Sequence, residues 1–377
     1  MQFRPNETQQ QLEDSVQRFA QDHEDAAIWR STVRERHAFR AEVWQQMADM
    51  GWLGIAIPEQ YGGAGLGARE CGIVLEGFGR ALLNEPYWST AVFGVQILLA
   101  AATPAQQQSL LPRVADGTLR LAVALAEPGT RYDWTDVQCS ARRVAAGWQI
   151  SGRKIAVLDG AVADRLLLLA RLEDGTIALF CVDAGAPGLR RHDTITLDER
   201  RCSDFVFEGM LVAEDARLSA VADALVAMQH AIDHALVGLA AESVGAMAAV
   251  LRTTIDYLKT RKQFGKPLAE FQVLRHRVAD MVMATEQTRS LALAAANALD
   301  GEPGLGARFA AAAKVQAGQA GKFVGESAVQ LHGGIGVTDE LHVGHFFKRL
   351  LCIDVLLGDA AFYLRRVADL DPGLQAG

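Results

Sequence analysis

Two changes in composition along the chain constrain its fold more than any other feature of the sequence. Up to about residue 118 the apolar residues recur at helical spacing, as Leu12, Val16 and Phe19 do within Glu7–Asp22. From 119 to 213, short apolar or alternating runs are separated by Gly, Asp and Pro, which is typical of strands. Alanine-rich helical patterns then return. This order predicts a mainly α protein with a central β domain, divided into an N-terminal helical domain (1–118), a middle β domain (119–213) and a C-terminal helical bundle (214–377).

Single elements can be predicted within this frame. The helices are expected at Glu7–Asp22, Glu42–Met50, Arg69–Leu83 and Thr90–Ala101, and from Thr103-Pro104, where Pro occupies the first turn. Strands are expected at Arg165–Ala170, Ile177–Val182 and Asp204–Val212, with two more around a turn within Val144–Gly152. Breaks in the C-terminal helices are expected at Gln263–Pro267, Asp300–Gly306 and Gly333–Thr338.

Composition excludes several classes of protein. The net charge of −8 provides no basic face for a nucleic acid. No uninterrupted apolar run approaches the ~20 residues of a membrane helix, and Met1–Glu7 has no apolar core of a signal peptide. Because the five cysteines are scattered, odd in number and never in a CxxC pair, we expect reduced thiols in a cytoplasmic protein.

The segment Tyr257–Leu268 is the first whose residues could bind a ligand. It ends a helical pattern in a cluster of cations, followed by an aromatic ring, Gly and Pro. Arg261 would offer a planar fork to a pyrophosphate while Phe264 packs on a flat ring. The alternative is a capped helix end followed by a turn, because cations suit the helix C-terminus.

The segment Gln330–Thr338 is the second. Three glycines in four positions, Gly333, Gly334 and Gly336, would let the backbone approach a ligand and point N–H groups at phosphate oxygens. It is not a Rossmann fingerprint, because its glycines follow a helix and not a strand. A tight turn between helices is the alternative, and the same alternative applies to the glycine-rich loop Gly62–Gly67.

The histidines do not predict a metal site. His342 and His345 are three residues apart near Asp339 and Glu340, a spacing that could ligate a metal on a helix. No further His or Cys cluster accompanies them, so we expect packing or surface histidines and no metal.

Together, Pro58–Gly67, Arg261–Gln272 and Gln330–Thr338, in a helix–β–helix order, make the chain resemble the acyl-CoA dehydrogenase flavoproteins over nearly its whole length, and the most specific part of the resemblance is Thr260–Gly265 paired with Gln330–Gly334. The resemblance implies a small β-barrel-like middle domain and a C-terminal four-helix bundle. It implies FAD as the cofactor at a subunit interface. It also implies α,β-dehydrogenation of an acyl-CoA, in which a carboxylate takes the α proton, a hydride passes to the flavin, and electrons leave to an electron-transfer flavoprotein.

The same resemblance assigns cofactor-binding residues. One group would clasp the adenosine diphosphate half of an FAD bound mainly to a neighbouring subunit: Arg261, Gln263, Phe264, Phe271 and Gln272. Gln330, Gly333 and Gly334 would add side-chain and backbone hydrogen bonds. Leu125, Ala126, Val157 and Leu158 occupy the flavin-facing segments, and Asp359 matches a position near the flavin nucleotide.

The sequence departs from the family pattern where the chemistry takes place. Ala126 stands in place of a threonine whose hydroxyl bonds the flavin, Tyr132 in place of a serine near the CoA ester, and Ala156-Val157-Leu158 in place of Trp-Ile-Thr. The position of the catalytic glutamate, before Gly358, is occupied by Leu357, and its alternative position by Ala235.

Leu and Ala cannot abstract a proton. The nearest titratable residues in sequence are Asp233, His234 and Asp359, which are weak candidates for the base. Tyr132, Asp233 and Leu236 are the expected substrate-binding residues.

Three functions remain open. Arg131–Asp133, Thr260–Gly265 and His345–Leu350 resemble the small subunits of pimeloyl-CoA and steroid-degradation dehydrogenases, which pair with a larger sister chain that supplies the carboxylate. The leading expectation is therefore an acyl-CoA dehydrogenase working as a homo-oligomer, a dimer or tetramer, or as a hetero-oligomer with such a sister. A flavin oxygenase or oxidase acting on a CoA ester and a non-catalytic subunit that completes a sister's FAD site are the alternatives.

Overall fold

The computed structural model describes residues 4–23, 39–218, 223–301 and 303–371. Five parts of the chain lie outside this description: residues 1–3, 24–38, 219–222, 302 and 372–377. The first and last of them belong to the predicted terminal domains. The chain divides into two compact units. The first takes its described residues from Met1–Arg30, Ala68–Leu83 and Leu236–Gly377, and the second from Ser31–Gly67 and Asn84–Ala235.

The first unit is helical. Its helices are α1 (Glu7–Asp22), α3 (Ala68–Ala81), α6 (Ala224–Thr260, of which residues from Leu236 belong here), α7 (Gln272–Gly301), α8 (Pro303–His332), α9 (Val343–Val355) and α10 (Ala360–Asp369). Strands β9 (Lys262–Gln263) and β10 (Lys266–Pro267) form a short ribbon after α6. The core is built from small and aliphatic residues of α6, α8 and α9, with Met247, Val250, Val324 and Leu350 almost completely buried.

Two glycines let α3 and α6 pack backbone against backbone. A Cβ on Gly245 would lie 1.9 Å from the Glu76 carbonyl oxygen, and one on Gly79 would lie 2.0 Å from the Glu242 carbonyl oxygen. Because neither carbonyl can move without breaking its helix, these positions accept only glycine.

The second unit contains α2 (Ala41–Asp49), a π-helical segment (Trp88–Gly94) that continues into α4 (Val95–Ala101), α5 (Pro104–Ala115) and the sheet. The strands are β1 (Leu121–Ala124), β2 (Ser140–Val144), β3 (Gly147–Leu158), β4 (Arg165–Leu172), β5 (Ile177–Asp183), β6 (Leu189–Ile195), β7 (Arg201–Val212) and β8 (Arg217–Leu218). Their order is β6-β7-β3-β2-β4-β5-β8, with β1 parallel to β4. The chain from Leu166 to Ala170 is buried on both faces of the sheet.

The predicted fold class is confirmed: helical N- and C-terminal parts enclose a central β region in sequence. Helix α1 has the predicted bounds and begins with a capping box between Asn6 and Gln9, and α5 begins with Thr103 as its cap and Pro104 in its first turn. The predicted break at Asp300–Gly306 is much shorter than expected, since α7 ends at Gly301 and α8 begins at Pro303. Strands β1 and β6 were not predicted. β6 reads Leu-Arg-Arg-His-Asp-Thr-Ile and is almost entirely exposed or half-buried, so it carries no apolar alternation.

Helix α6 differs from the expectation about membrane spans. It is long and apolar enough to cross a membrane by length and composition. The share of its most apolar window that is buried inside the protein is 89%, which is the environment of a core helix.

The contact between α3 and α6 generates a first prediction. Gly245→Ala should lower the free energy of unfolding by about 1–3 kcal/mol, because the added methyl overlaps a carbonyl. The control is Gly72→Ala on α3, whose Cβ would lie 3.6 Å from the Ala241 Cβ, an ordinary contact. This control should be neutral or stabilising by about 0.5–1 kcal/mol, because alanine favours a helix. Urea unfolding of both variants measures the difference, and equal stabilities would contradict the packing described.

Candidate functional site

The end of α6 presents an exposed loop. After Thr260 the chain forms the β9–β10 ribbon, whose turn has Phe264 at φ 52° and Gly265 at φ 78°. The Phe264 side chain is 92% exposed, which is unusual for a large apolar ring. Phe271 lies 6.2 Å from it in an edge-on arrangement, and the Lys266 ammonium lies 4.4 Å from the Phe271 ring. Arg261, Gln263 and Gln272 are exposed around these rings.

The end of α8 presents the second loop. Gly333–Val337 is a 3-10 helix that directly follows α8, so these glycines follow a helix, as the sequence indicated. Gly333 has φ 65°, and a Cβ on Gly333 or Gly334 would meet nothing within 4 Å. Gln330, Gly333 and Gly334 are exposed.

Tyr257 and His332 join the two loops. The Tyr257 hydroxyl donates a hydrogen bond to the His332 carbonyl oxygen over 3.3 Å, and the two rings are stacked at a tilt, 4.5 Å apart. Tyr257 lies one turn before Arg261, and His332 immediately precedes Gly333. The structure therefore brings the two sequence motifs to one end of the first unit. We call this set, Arg261–Phe264, Phe271-Gln272, Gln330 and Gly333-Gly334, the nucleotide clasp.

The residues of the clasp fit one half of a dinucleotide. A guanidinium and exposed backbone N–H groups are the usual partners of a pyrophosphate, and an exposed phenyl ring is a platform for a flat heterocycle. The space around Gly333 and Gly334 lets a ligand approach the backbone.

The two flavin-facing segments predicted from the sequence meet in the second unit. The Ala126 carbonyl oxygen accepts a hydrogen bond from the Ile155 N–H over 2.9 Å, which places Leu125 and Ala126 beside β3. Val157 and Leu158 end β3 opposite Ser203 and Cys202 and are 1% and 7% exposed. Tyr132 is half-buried in the turns between β1 and β2.

A buried ion pair that the sequence analysis did not identify supports these segments. The Lys154 ammonium donates to the Glu127 carboxylate over 2.6 Å, and their side chains are 0% and 3% exposed. The same carboxylate accepts the Gln138 and Cys139 N–H groups, which fixes the chain on either side of Tyr132. Lys154 could have been found by strand alternation, because it shares a face with the buried Trp148 and Ile150.

A second buried pair follows Leu158. Asp159 has φ 59° and is 2% exposed; its carboxylate accepts from the Ser89 hydroxyl over 2.8 Å and from Arg201 over 3.4 Å. Arg201 also donates to the Asn84 carbonyl oxygen. Because Ser89 lies in the π-helical segment, this pair attaches that segment to the end of β3.

Among the three candidate bases, Asp233 and His234 lie in the second unit. The Asp233 carboxylate accepts from the Gln229 amide over 2.9 Å and is 5% exposed. Burial, with a smaller effect of the neighbouring His230, lowers the pKa of His234 to about 3. An imidazole with that pKa is neutral at pH 7 and holds an abstracted proton too weakly to act as an effective base.

The remaining candidates lie in the first unit. Leu357 has φ 60°, and its carbonyl oxygen accepts from the Tyr363 hydroxyl over 2.9 Å. The Asp359 carboxylate caps α10 by accepting the Phe362 N–H over 2.8 Å. Leu236, an expected substrate-binding residue, is fully buried in α6. No cluster of three or more His, Cys, Asp or Glu side chains able to hold a metal is found in the described part of the chain.

The fold and the matching domain models define a flavoprotein oxidoreductase of the acyl-CoA dehydrogenase type. Models of the N-terminal, middle and C-terminal domains of acyl-CoA dehydrogenase match residues 6–118, 122–210 and 215–369. The chain belongs to the acyl-CoA dehydrogenase family.

Three relatives illustrate the similarity. Acyl-CoA dehydrogenase fadE12 of Mycobacterium bovis is 33% identical over 82% of each chain. The structure of a variant of the Tcur3481-Tcur3483 steroid ACAD is 33% identical with a TM-score of 0.88, covering 98% of this chain and 99% of that one. The ChsE4-ChsE5 complex from Mycobacterium tuberculosis is 27% identical with a TM-score of 0.89, covering 98% of each chain.

The Lys154–Glu127 pair generates a second prediction. Lys154→Met should lower the free energy of unfolding by about 3–5 kcal/mol, because it leaves a buried carboxylate without its counter-ion. Arg153→Met, which removes a neighbouring cation that is 56% exposed, is the control and should stay within about 0.5 kcal/mol of wild type. Chemical denaturation measures both, and a small effect at Lys154 would show that the pair is dispensable.

The His234 environment generates a third prediction. Its folded pKa of about 3 is below the ordinary histidine value of 6.5, so between these pH values only the unfolded state binds the proton. Stability should therefore fall as pH falls from 6.5 towards 3, with this residue contributing up to ~1.4 kcal/mol per pH unit. His234→Gln should make the decline shallower, while His192→Gln at an exposed site should not. Unfolding curves from pH 7 to 4 measure the slopes, and equal slopes for wild type and His234→Gln would refute the assignment.

Proposed function

We propose that this chain is an acyl-CoA dehydrogenase subunit that keeps the FAD-binding parts of the family's site and lacks its own proton-abstracting carboxylate. The observation that carries the proposal is the contrast between the clasp and the turn at Leu357. The clasp offers a guanidinium, rings and exposed N–H groups at one end of the first unit. The turn offers an aliphatic side chain where the family resemblance places a glutamate.

The clasp is proposed to act on the FAD of another protomer. The described residues leave its ring Phe264 exposed, so a group from another molecule can pack on it. Arg261 would hold the pyrophosphate, Phe264 and Phe271 would pack on flat surfaces, and Gly333 and Gly334 would donate their N–H groups. The chain would accordingly be an oligomer, either of itself or with a sister chain.

When bound, FAD supplies the acceptor for the hydride that leaves the acyl-CoA Cβ. The side chains of Val157 and Leu158 are apolar and exclude water from the segment that the family presents to the flavin. The α proton needs a separate acceptor. Asp233 is engaged by Gln229, His234 is a weak base, and Asp359 is engaged as a helix cap. We infer that the carboxylate comes from a partner chain.

Two comparisons support a hetero-oligomer and a bulky substrate. One similar structure is the complex of two proteins, ChsE4 and ChsE5. Another is a variant of the Tcur3481-Tcur3483 steroid ACAD, whose name also pairs two proteins. We propose a larger sister dehydrogenase chain as the partner and a less linear acyl group than a common fatty acid, with electrons passing to an electron-transfer flavoprotein. The cytoplasmic location stays a prediction.

The same comparisons favour a second candidate, in which this chain is non-catalytic and completes the FAD site of a sister chain. An exposed clasp serves that role equally well, because it does not require the chain to bind the reacting part of FAD. The two candidates differ in whether this chain's own acyl-CoA site turns over once a carboxylate is provided.

A carboxylate supplied in place of Leu357 tests the proposal. In Leu357→Glu, anaerobic bleaching of the flavin band by branched and ring-bearing acyl-CoAs should be about 10²–10⁴-fold faster than in wild type, the usual contribution of a placed general base. Leu357→Gln has the same size and polarity but takes no proton, so it should bleach as slowly as wild type.

Other outcomes would exclude the proposal. Equal bleaching in wild type and both variants would place an active base elsewhere in this chain. A chain that holds flavin yet never bleaches would favour the non-catalytic subunit. Oxygen consumption by wild type without an added acceptor would favour an oxygenase or oxidase.

A further inference from the structure

Lys314 is a fully buried lysine for which the reaction described above has no use. It lies in the middle of α8, its side chain is 0% exposed, and the residues around it on that helix, Ala310, Ala311, Ala313 and Ala317, are buried too. Its ammonium donates to the carbonyl oxygens of Ile353, Asp354 and Gly358 over 2.8, 2.5 and 2.6 Å. The three protons of the ammonium thus meet three acceptors.

Two of those acceptors belong to the last turn of α9. The carbonyls of Ile353 and Asp354 lie where a helix leaves its C=O groups without partners from its own backbone, and a cation there also suits the helix dipole. The third, Gly358, lies beyond the helix, in the turn Leu356–Asp359 that leads into α10. A single side chain therefore ties the end of one helix to the turn that follows it.

The turn itself is strained and held on several sides. Leu357 has φ 60°, a conformation that costs a branched residue roughly 1–2 kcal/mol, and Gly358 has φ 129°. Tyr363 donates its hydroxyl to the Leu357 carbonyl oxygen, and the Asp354 carboxylate accepts the Ala360 N–H over 3.1 Å. A Cβ at Gly358 would lie 2.7 Å from the Phe362 ring, so the turn packs directly on α10.

A glycine on α8 allows this contact. A Cβ on Gly318, one turn after Lys314, would lie 2.0 Å from an Asp354 carboxylate oxygen. The glycine lets α8 approach the end of α9 closely enough for the Lys314 ammonium to reach all three carbonyls. The lysine, the glycine and the turn thus form one arrangement.

We propose that Lys314 is a positioning residue for the reaction: its ammonium fixes the turn Leu356–Asp359, and through it the side chain at position 357 and the backbone of Gly358, in one placement at the acyl-CoA site. This inference rests on the proposed function, which locates position 357 at that site. A placement error of about 1 Å at a reacting group can lower a rate about 10²-fold, so once a carboxylate stands at position 357 a clamp on this turn has a kinetic effect and not only a structural one.

The titration of Lys314 provides a readout that packing alone would not. Burial lowers its pKa to about 7, and the carboxylates of Asp354 on α9 and Asp359 in the turn oppose that shift. Tyr363 on α10 is a further titratable group close by, with its ring 5.8 Å from the ammonium. Above the pKa a neutral amine has two N–H donors for three carbonyls, and the turn loses one of its bonds.

Lys314→Met tests the proposal, because it keeps the length of the side chain and removes all three donors. The assay is bleaching of FAD by acyl-CoA in the assembled protein carrying Leu357→Glu, across pH 6 to 9. With Lys314 intact the rate should decline above about pH 7. With Lys314→Met the bleaching rate should be about tenfold to 10²-fold lower at pH 6, with little change in the acyl-CoA concentration needed for half-saturation. The decline of the rate above about pH 7 should be absent from this variant. Lys322→Met, an exposed lysine on the same helix, is the matched control and should behave as the parent.

A second variant keeps the test decisive if Lys314→Met fails to fold. Tyr363→Phe removes only the hydroxyl that holds the Leu357 carbonyl on the other side of the turn, and should lower the bleaching rate in the same direction by a smaller factor. A folded Lys314→Met or Tyr363→Phe protein with the parent's rate and pH profile would overturn the positioning role. If the Leu357→Glu parent holds FAD but does not bleach, the proposed function fails and the positioning role fails with it. Failure of the positioning role alone leaves the proposed function standing.

Discussion

Buried cations hold three segments of this protein in place: the chain beside Ala126, the end of β3 and the turn at Gly358. A charge inside a protein is tolerated only when specific partners replace the water it has lost, so each such charge fixes the groups around it. Lys154 fixes Glu127 and the chain beside Ala126, Arg201 fixes Asp159 at the end of β3, and Lys314 fixes the turn at Gly358. In each unit, one segment predicted to face the cofactor or substrate depends on one of these contacts.

This arrangement keeps the shape of the turn independent of the side chain at position 357. The supports of the turn at Leu357 are backbone carbonyls bound by Lys314 and Tyr363, and none of them depends on the side chain at position 357. An aliphatic residue can therefore stand there, in a left-handed conformation, without collapse of the turn. The clasp is equally independent of that position, because Tyr257 and His332 join its two loops. The clasp and the side chain at position 357 can thus change independently of each other.

The order of helical and β regions could be predicted from the sequence because it depends on local patterns, whereas the clasp residues followed from the family resemblance and their role in binding stays a prediction. Capping boxes at Asn6 and Thr103, helical periodicity and glycine-rich breaks are all set within a few residues. The Gly62–Gly67 loop packs its backbone closely against a neighbouring segment, since a Cβ on Gly63 would lie 2.0 Å from the Ile57 carbonyl oxygen.

The contacts that hold the site could not be predicted in this way. Lys314 and Gly358 are 44 residues apart, and Ser89 and Asp159 are 70 apart, so nothing local links them. A lysine in an alanine-rich helix indicates at most that a cation lies on a small-residue face. Its three carbonyl partners are visible only once helices α8, α9 and α10 have packed. Strand β6 was missed for the related reason that its side chains are hardly buried.

The most direct test of this account is the FAD content of the purified protein, measured from its visible absorption and from flavin released on denaturation. It is measured for wild type and for Arg261→Gln, each alone and with a sister dehydrogenase chain. A stoichiometric amount of FAD is expected in the wild-type assembly, and a large loss in Arg261→Gln, because its side chain no longer offers a cation to the pyrophosphate. Wild type without FAD in either assembly, or full FAD content in Arg261→Gln, would contradict the claim that the nucleotide clasp binds the cofactor.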